Sequence, residues 1–213
     1  MAMKLGELKE AVGSLSAPSK MPCSGYSIPA KECNVGSRLV NVEGSTCSGC
    51  YALKGRYVFP NVEQAMYKRL DALVRDIDAW VDNMTEYIGR FRKGDKEYFR
   101  WHDSGDLQGV PHLHAIVRIA ENLPEVKFWL PTREIKTVLQ YKKFNGDFPQ
   151  NLIVRISAHM NDAQPNHKIT GYASGVEDTG VLEGYHCPAP NQGNECGDCR
   201  ACWTAETVIY HKH

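Results

Sequence analysis

The chain's eight cysteines fall into two groups, and both have the spacing of metal ligands. The C-terminal group, Cys187, Cys196, Cys199 and Cys202, reads C-x8-C-x2-C-x2-C. Thiolates at C-x2-C-x2-C wrap naturally around three corners of an iron–sulfur cubane, and the ferredoxin pattern adds a cysteine followed by proline. Cys187 is followed by Pro188. Structural zinc more often takes two separated pairs that close a tetrahedron from two loops. The expectation is a [4Fe–4S] cluster, with zinc as the alternative. The N-terminal group reads Cys33-x13-Cys47-x2-Cys50 and ends in "STCSGCYALKGRY". Cys23, in "MPCSGY", is either a fourth ligand or a loop or buried cysteine. Four thiolates would close the site, whereas three leave one metal position open, as catalysis requires. Cys33, Cys47 and Cys50 are the expected ligands. One or two clusters follow, and a single metal drawing on both groups is a further arrangement.

Thiolate chemistry of this kind suits a reducing compartment, where disulfides are rare. No run approaches the ~20 apolar residues of a membrane span, and "MAMKLGELKEAVGSLSAPSK" lacks the apolar core of a signal peptide. The cytoplasm is the expected location, with no membrane partner. Lys+Arg and Asp+Glu both total 25, so the formal net charge is zero. Phosphate-driven binding usually shows a basic excess, so nucleic acid is not favoured as a partner.

Residues 1–20 read as a flexible, polar lead-in, and 21–210 as one α/β domain with cysteine segments at 23–50 and 187–202. The loop-rich stretch 21–59 has little apolar periodicity and needs an external tie. From an Asn61 cap with Gln64 in capping-box position, Val62, Met66, Leu70, Leu73, Ile77, Trp80, Met84, Ile88 and Phe91 form one helical stripe that Gly94 ends. Strands are predicted at 97–101, 126–130 and 151–157, with a strand-like segment near Cys50–Leu53. A helix with Pro111 in its first turn and one capped by Thr132 lie between the later strands. The residues 160–195 read as a long connection. The alternation argues for βαβ units, either a partial (β/α) barrel or an open parallel sheet with cysteine-rich N- and C-terminal loops.

Ligands of parallel α/β folds bind beyond the carboxyl ends of the strands. Those ends carry "HDSGD" (102–106), then Thr132 and Arg133, then Ser157 and His159. Ser104, Gly105, Asp106, Arg133 and Ser157 are the expected small-molecule contacts. Asp103 or Asp106 as a helix cap, and Arg133 paired with Glu134 or Glu97, are the structural alternatives. Arg155 points to one sheet face, as a buried ion-pair partner or an anion clamp.

"CSGCYALKGRY", "FRWHDSGDLQ", "FWLPTRE" and "CGDCRACW" together resemble the phage gene product 88 family over residues 20–210. That resemblance implies a phage-encoded cytoplasmic protein with metal-binding cysteines. A looser resemblance is to radical S-adenosylmethionine enzymes. Those combine a partial barrel, three cysteines after the first strand, an aromatic residue beside the last, and a Gly-Gly-Glu-like turn after the second strand. Cys47, Cys50 and Tyr51 match the end of that cysteine motif, although thirteen residues separate Cys33 from Cys47 where the family has three. The resemblance implies S-adenosylmethionine as cofactor, held by Ser104, Gly105 and Asp106. The alternatives are a non-catalytic electron carrier with a redox partner protein, a cluster-stabilised binding protein, and a zinc-stabilised binding module. Whether the chain is an enzyme stays open at this point.

Overall fold

The computed structural model describes residues 2–212. Its centre is a seven-stranded sheet in which every strand pairing is parallel. The strands are β1 (Gly25–Tyr26), β2 (Tyr98–Trp101), β3 (Lys127–Thr132), β4 (Leu152–Ser157), β5 (Ala173–Glu177), β6 (Tyr185–His186) and β7 (Thr207–His211). Their spatial order is β1-β2-β3-β4-β5-β7-β6, so the first five lie side by side in chain order. β1 and β6 are edges, and the sheet is open rather than closed into a barrel. With right-handed crossovers, successive parallel strands added on the same side send their helices to one face.

That face carries α1 (Leu5–Val12), α3 (Pro60–Arg75), α4 (Ile77–Phe91), α5 (Val110–Asn122) and α6 (Ile135–Asn145); α2 (Gly36–Leu39) lies in the N-terminal cysteine segment. The main core joins these helices to Tyr26, Phe99, Trp101, Phe128, Leu130, Val154 and Ile156. Tyr26 is its hub. Its ring meets Trp80 and Trp101 edge-on at 5.6 and 6.1 Å, and its hydroxyl accepts from Trp80 Nε1 and donates to the Val12 carbonyl at 2.5 Å. All six residues of β4 are buried, as a strand covered on both faces requires.

Several expectations need correction. The lead-in is no loose tail, because α1 places Leu8 and Val12 fully inside the core. The long helix is two helices. Asp76 is extended at φ −156°, and its carboxylate accepts from Ala79 N to cap α4. The apolar stripe hides the break because the core positions stay in phase across it. Phe59 rather than Asn61 precedes the first turn, with Pro60 opening the helix. Glu134, not Thr132, precedes α6, and Leu139 is exposed. Tyr51–Leu53 is a 3-10 turn, while the strand that pairs with β2 is Gly25–Tyr26. The connection 160–195 contains β5 and β6.

Leu8→Ala should lower unfolding stability by ~3 kcal/mol, the usual range for a buried leucine, measured by urea denaturation. A mobile lead-in would leave stability unchanged.

Candidate metal centres

The two cysteine groups lie at different places on the sheet. The N-terminal group sits at its carboxyl edge, in the connection that follows β1. Cys33 ends a 3-10 turn, α2 follows, and Cys47 and Cys50 form the next turn, with Cys50 N donating to Cys47 O at 3.0 Å. Gly36 fits between two of the sulfurs. A Cβ there would lie 2.9 Å from Cys33 Cβ, 3.6 Å from Cys33 Sγ and 3.8 Å from Cys47 Sγ.

The strand ends hold this loop. Thr46 N donates to the His159 carbonyl at 2.9 Å, and its hydroxyl donates to Ala158 O at 3.1 Å. Arg133 Nε donates to the same hydroxyl at 2.9 Å, and His159 Nε2 lies 3.0 Å from Arg133 O. Glu134 accepts from Val35 N at 2.7 Å, and Glu97 pairs with Lys127, so neither carboxylate neutralises Arg133. Asp106 accepts from Leu107 N at 2.7 Å, Thr132 Oγ1 at 2.6 Å and Arg133 N at 2.8 Å. It ties the end of β2 to the end of β3 and caps no helix.

Asp103 is latched elsewhere. Its carboxylate accepts from Ser27 and Tyr57, and its carbonyl from the Tyr51 hydroxyl at 2.5 Å. Gly105 has φ +82°, and a Cβ there would lie 2.3 Å from Ile28 Cγ1, so only glycine fits. Of the five expected contacts, Asp106 and Arg133 meet beside the cysteines. Ser104 is buried behind β1 with its carbonyl accepting from Ile28 N, and Ser157 pairs with Ser174 at 3.2 Å. Thr46, Tyr57 and Glu134 position the site without any sequence signal beyond polarity.

Burial pushes the Cys33 thiol far up, and Asp106, Cys50 and Cys47 push it further against the pull of Arg133. Cys47 is raised by burial, with Arg133 opposing and Cys50 adding. A bound cation inverts this balance by stabilising thiolates outright.

The C-terminal group covers the face that has no helices. Trp129 and Trp203 pack there at 5.2 Å between ring centres, and Arg100 lies 4.5 Å above Trp129. Cys23 belongs to this cluster, with Met21, Tyr98, Cys202 and Tyr210 around it. It is therefore not the fourth ligand of the N-terminal group. Burial raises its thiol to about 12 despite Arg100 and Arg200. Cys202 is raised to about 11 by burial, although the Tyr210 hydroxyl lies 3.2 Å from its sulfur. Cys187 N donates to Ile209 O on β7, Cys196 N to Lys20 O, and Tyr185 Oη lies 3.5 Å from Cys199 Sγ. Arg155, fully buried, is neither an ion-pair partner nor an anion clamp. Its guanidinium donates to the carbonyls of Ala173, Glu206, Cys202 and Ala205.

Four thiolates around one zinc at ~2.3 Å would stand ~3.8 Å apart. Among the described residues, the one trio of ligand atoms within 4.8 Å of one another contains no cysteine. That trio is Glu177, His186 and His211, at the ends of β5, β6 and β7.

Behind "HDSGD" lie His102 and His112, both buried, with ring centres 5.2 Å apart. Burial, His112 and Arg100 hold His102 well below the ordinary range, and burial holds His112 down to about 3. Both are neutral in the fold, while the unfolded chain takes up protons near pH ~6.5. Their full contribution to stability is present above that pH and is lost as pH falls towards the folded values. His112 alone gives a slope of up to ~1.4 kcal/mol per pH unit, and His112→Asn should remove it in urea titrations between about pH 6.5 and 5. An unchanged slope would contradict a neutral His112.

Among the described residues, no helix is long and apolar enough to cross a membrane. No curated protein and no solved structure matches the chain. A family model described as Gene product 88 matches residues 2–205, nearly the full length. With both cysteine segments and strands β1 to β6 inside that match, the chain belongs to the Gene product 88 family of phage proteins.

Proposed function

We propose that this is an iron–sulfur protein with two separate [4Fe–4S] sites, whose N-terminal site binds S-adenosylmethionine. The observation that carries the reading is the position of β1. With Gly25–Tyr26 as the first strand, Cys33, Cys47 and Cys50 all fall in the connection after it, at the carboxyl edge. The turn after the second strand, Ser104–Gly105–Asp106, reaches the same edge and anchors Arg133 beside Cys33. This is the layout that the resemblance to radical S-adenosylmethionine enzymes implies, on strands that run side by side in chain order.

Two features of the chain's residues favour a cluster. Three thiolates leave one metal position free, and Cys23 packs elsewhere, against Trp129 and Trp203. Arg133 supplies positive charge next to thiols that burial otherwise disfavours as thiolates. When bound, a reduced [4Fe–4S] cluster would supply the electron for reductive cleavage of the S-adenosylmethionine sulfonium. The residues' own tasks are narrower. Cys33, Cys47 and Cys50 would hold the cluster. Arg133 would pair with the cofactor carboxylate, and Asp106 at the end of the Ser104–Asp106 turn would accept from its amino group, while Ser104 itself is buried behind β1. Ser157 sits at the β4 end of the same edge. The C-terminal cluster would pass electrons or order the tail, with a cellular reductant as redox partner in the host cytoplasm.

Oxygen-free protein with reduced clusters should release 5′-deoxyadenosine from S-adenosylmethionine. Cys50→Ala should abolish release while keeping about four irons in the C-terminal site. Full iron loading with no cleavage, and no effect of S-adenosylmethionine on the cluster's paramagnetic signal, would discard the catalytic reading and leave an electron carrier.

A further inference from the structure

Glu177, His186 and His211 end β5, β6 and β7, and their side chains converge at the carboxyl edge of the sheet, well along from the first cysteine group. In register, Glu177 pairs with His211, and His186 with Ile209 two residues before it. Side chains alternate across a strand. Tyr185 and Tyr210 turn towards Cys199 and Cys202, so His186 and His211 turn to the opposite face. The trio is thus separate from the thiols, although His186 adjoins Cys187 in sequence.

We propose that Glu177, His186 and His211 form a third metal site, for a mononuclear first-row divalent cation such as zinc or ferrous iron. Glu177 Oε1 lies 2.8 Å from His186 Nδ1 and 3.3 Å from His211 Nδ1. All three ligand atoms fall within 4.8 Å of one another. Around one ion with bonds of ~2.1 Å, neighbouring ligands stand ~3.0–3.4 Å apart. The two Glu177 separations lie close to that range, and the two imidazoles lie within 4.8 Å of each other.

The alternative is a hydrogen-bonded trio with no metal, and the carboxylate argues against it. Glu177 is only 2% exposed in its side chain, yet no lysine or arginine pairs with it. The nearby Lys212 ammonium goes to Asp178 at 2.6 Å. Both imidazoles crowd one oxygen, while the buried Oε2 has no partner among the described residues. Hydrogen bonding alone would spread over both oxygens of a buried carboxylate. The two histidines are 46% and 44% exposed, so the cation reaches them from solvent and keeps open positions for water or a further ligand. Two histidines and a carboxylate with open positions are the donor set of catalytic zinc and of ferrous oxygenase sites.

The test uses cluster-loaded, oxygen-free protein equilibrated with Zn2+ against a competing chelator. Wild type should bind one zinc whose X-ray absorption shows nitrogen and oxygen neighbours at ~2.0–2.1 Å and no sulfur at ~2.3 Å. His186→Ala/His211→Ala should weaken that binding by more than ~100-fold, beyond the usual loss from removing outer-shell partners alone. Iron and sulfide content should not change, which separates this site from the clusters. Glu177→Gln should weaken zinc as well. The proposal is overturned if wild type takes up no zinc, if its zinc has sulfur neighbours, or if the double variant binds as tightly as wild type.

Discussion

A guanidinium with no carboxylate to neutralise it joins the two halves of the molecule. Arg155 projects from the central strand β4 onto the face without helices and gives its protons to four main-chain carbonyls, of Ala173, Cys202, Ala205 and Glu206. A parallel sheet must be covered on both faces. Here one cover is an ordinary helical layer. The other is the segment 187–204, short turns rich in glycine, proline and cysteine, with Trp203 as its one fully buried apolar side chain. Such a segment has too little apolar area to dock by burial alone. Charge-assisted bonds from Arg155 and the Trp129–Trp203 contact hold it to the sheet, and a metal joining its thiols would complete the tie.

The N-terminal cysteine loop faces the same difficulty at the carboxyl edge and meets it with polar contacts. Asp106 binds the β2 end to the β3 end, and Arg133, Thr46 and His159 carry that connection into the loop. Every thiol for which burial sets the acidity is driven towards the neutral form. Those six cysteines, none of them in a disulfide, are therefore costly as bare thiolates.

How much of this was legible in the sequence depended on segment length and on distance along the chain. β2, β3 and β4 stand out because their aromatic and β-branched runs are long enough to register. β1 and β6 span two residues each and have no periodicity to read, and β5 contains Ser and Gly. The α1 stripe of Leu5, Leu8 and Val12 was present, but its polar neighbours outweighed it. The break at Asp76 left the apolar phase intact and was visible only as a cap. "HDSGD" and the N-terminal cysteines were expected at the carboxyl ends of the strands, and they lie at that edge of the sheet. The partner of Cys23 did not follow from sequence, because its neighbours Trp129, Cys196 and Trp203 lie more than a hundred residues away. Glu177, His186 and His211 had no motif either, since only the pairing of three edge strands brings them together.

Two metal centres on separate parts of one sheet are most directly tested by composition. Protein purified without oxygen should contain about eight irons and about eight acid-labile sulfides per chain, with absorbance near ~400 nm from cluster thiolate sites. Zinc without sulfide in the cysteine sites would contradict the iron–sulfur reading and leave the thiols as structural staples of an α/β scaffold.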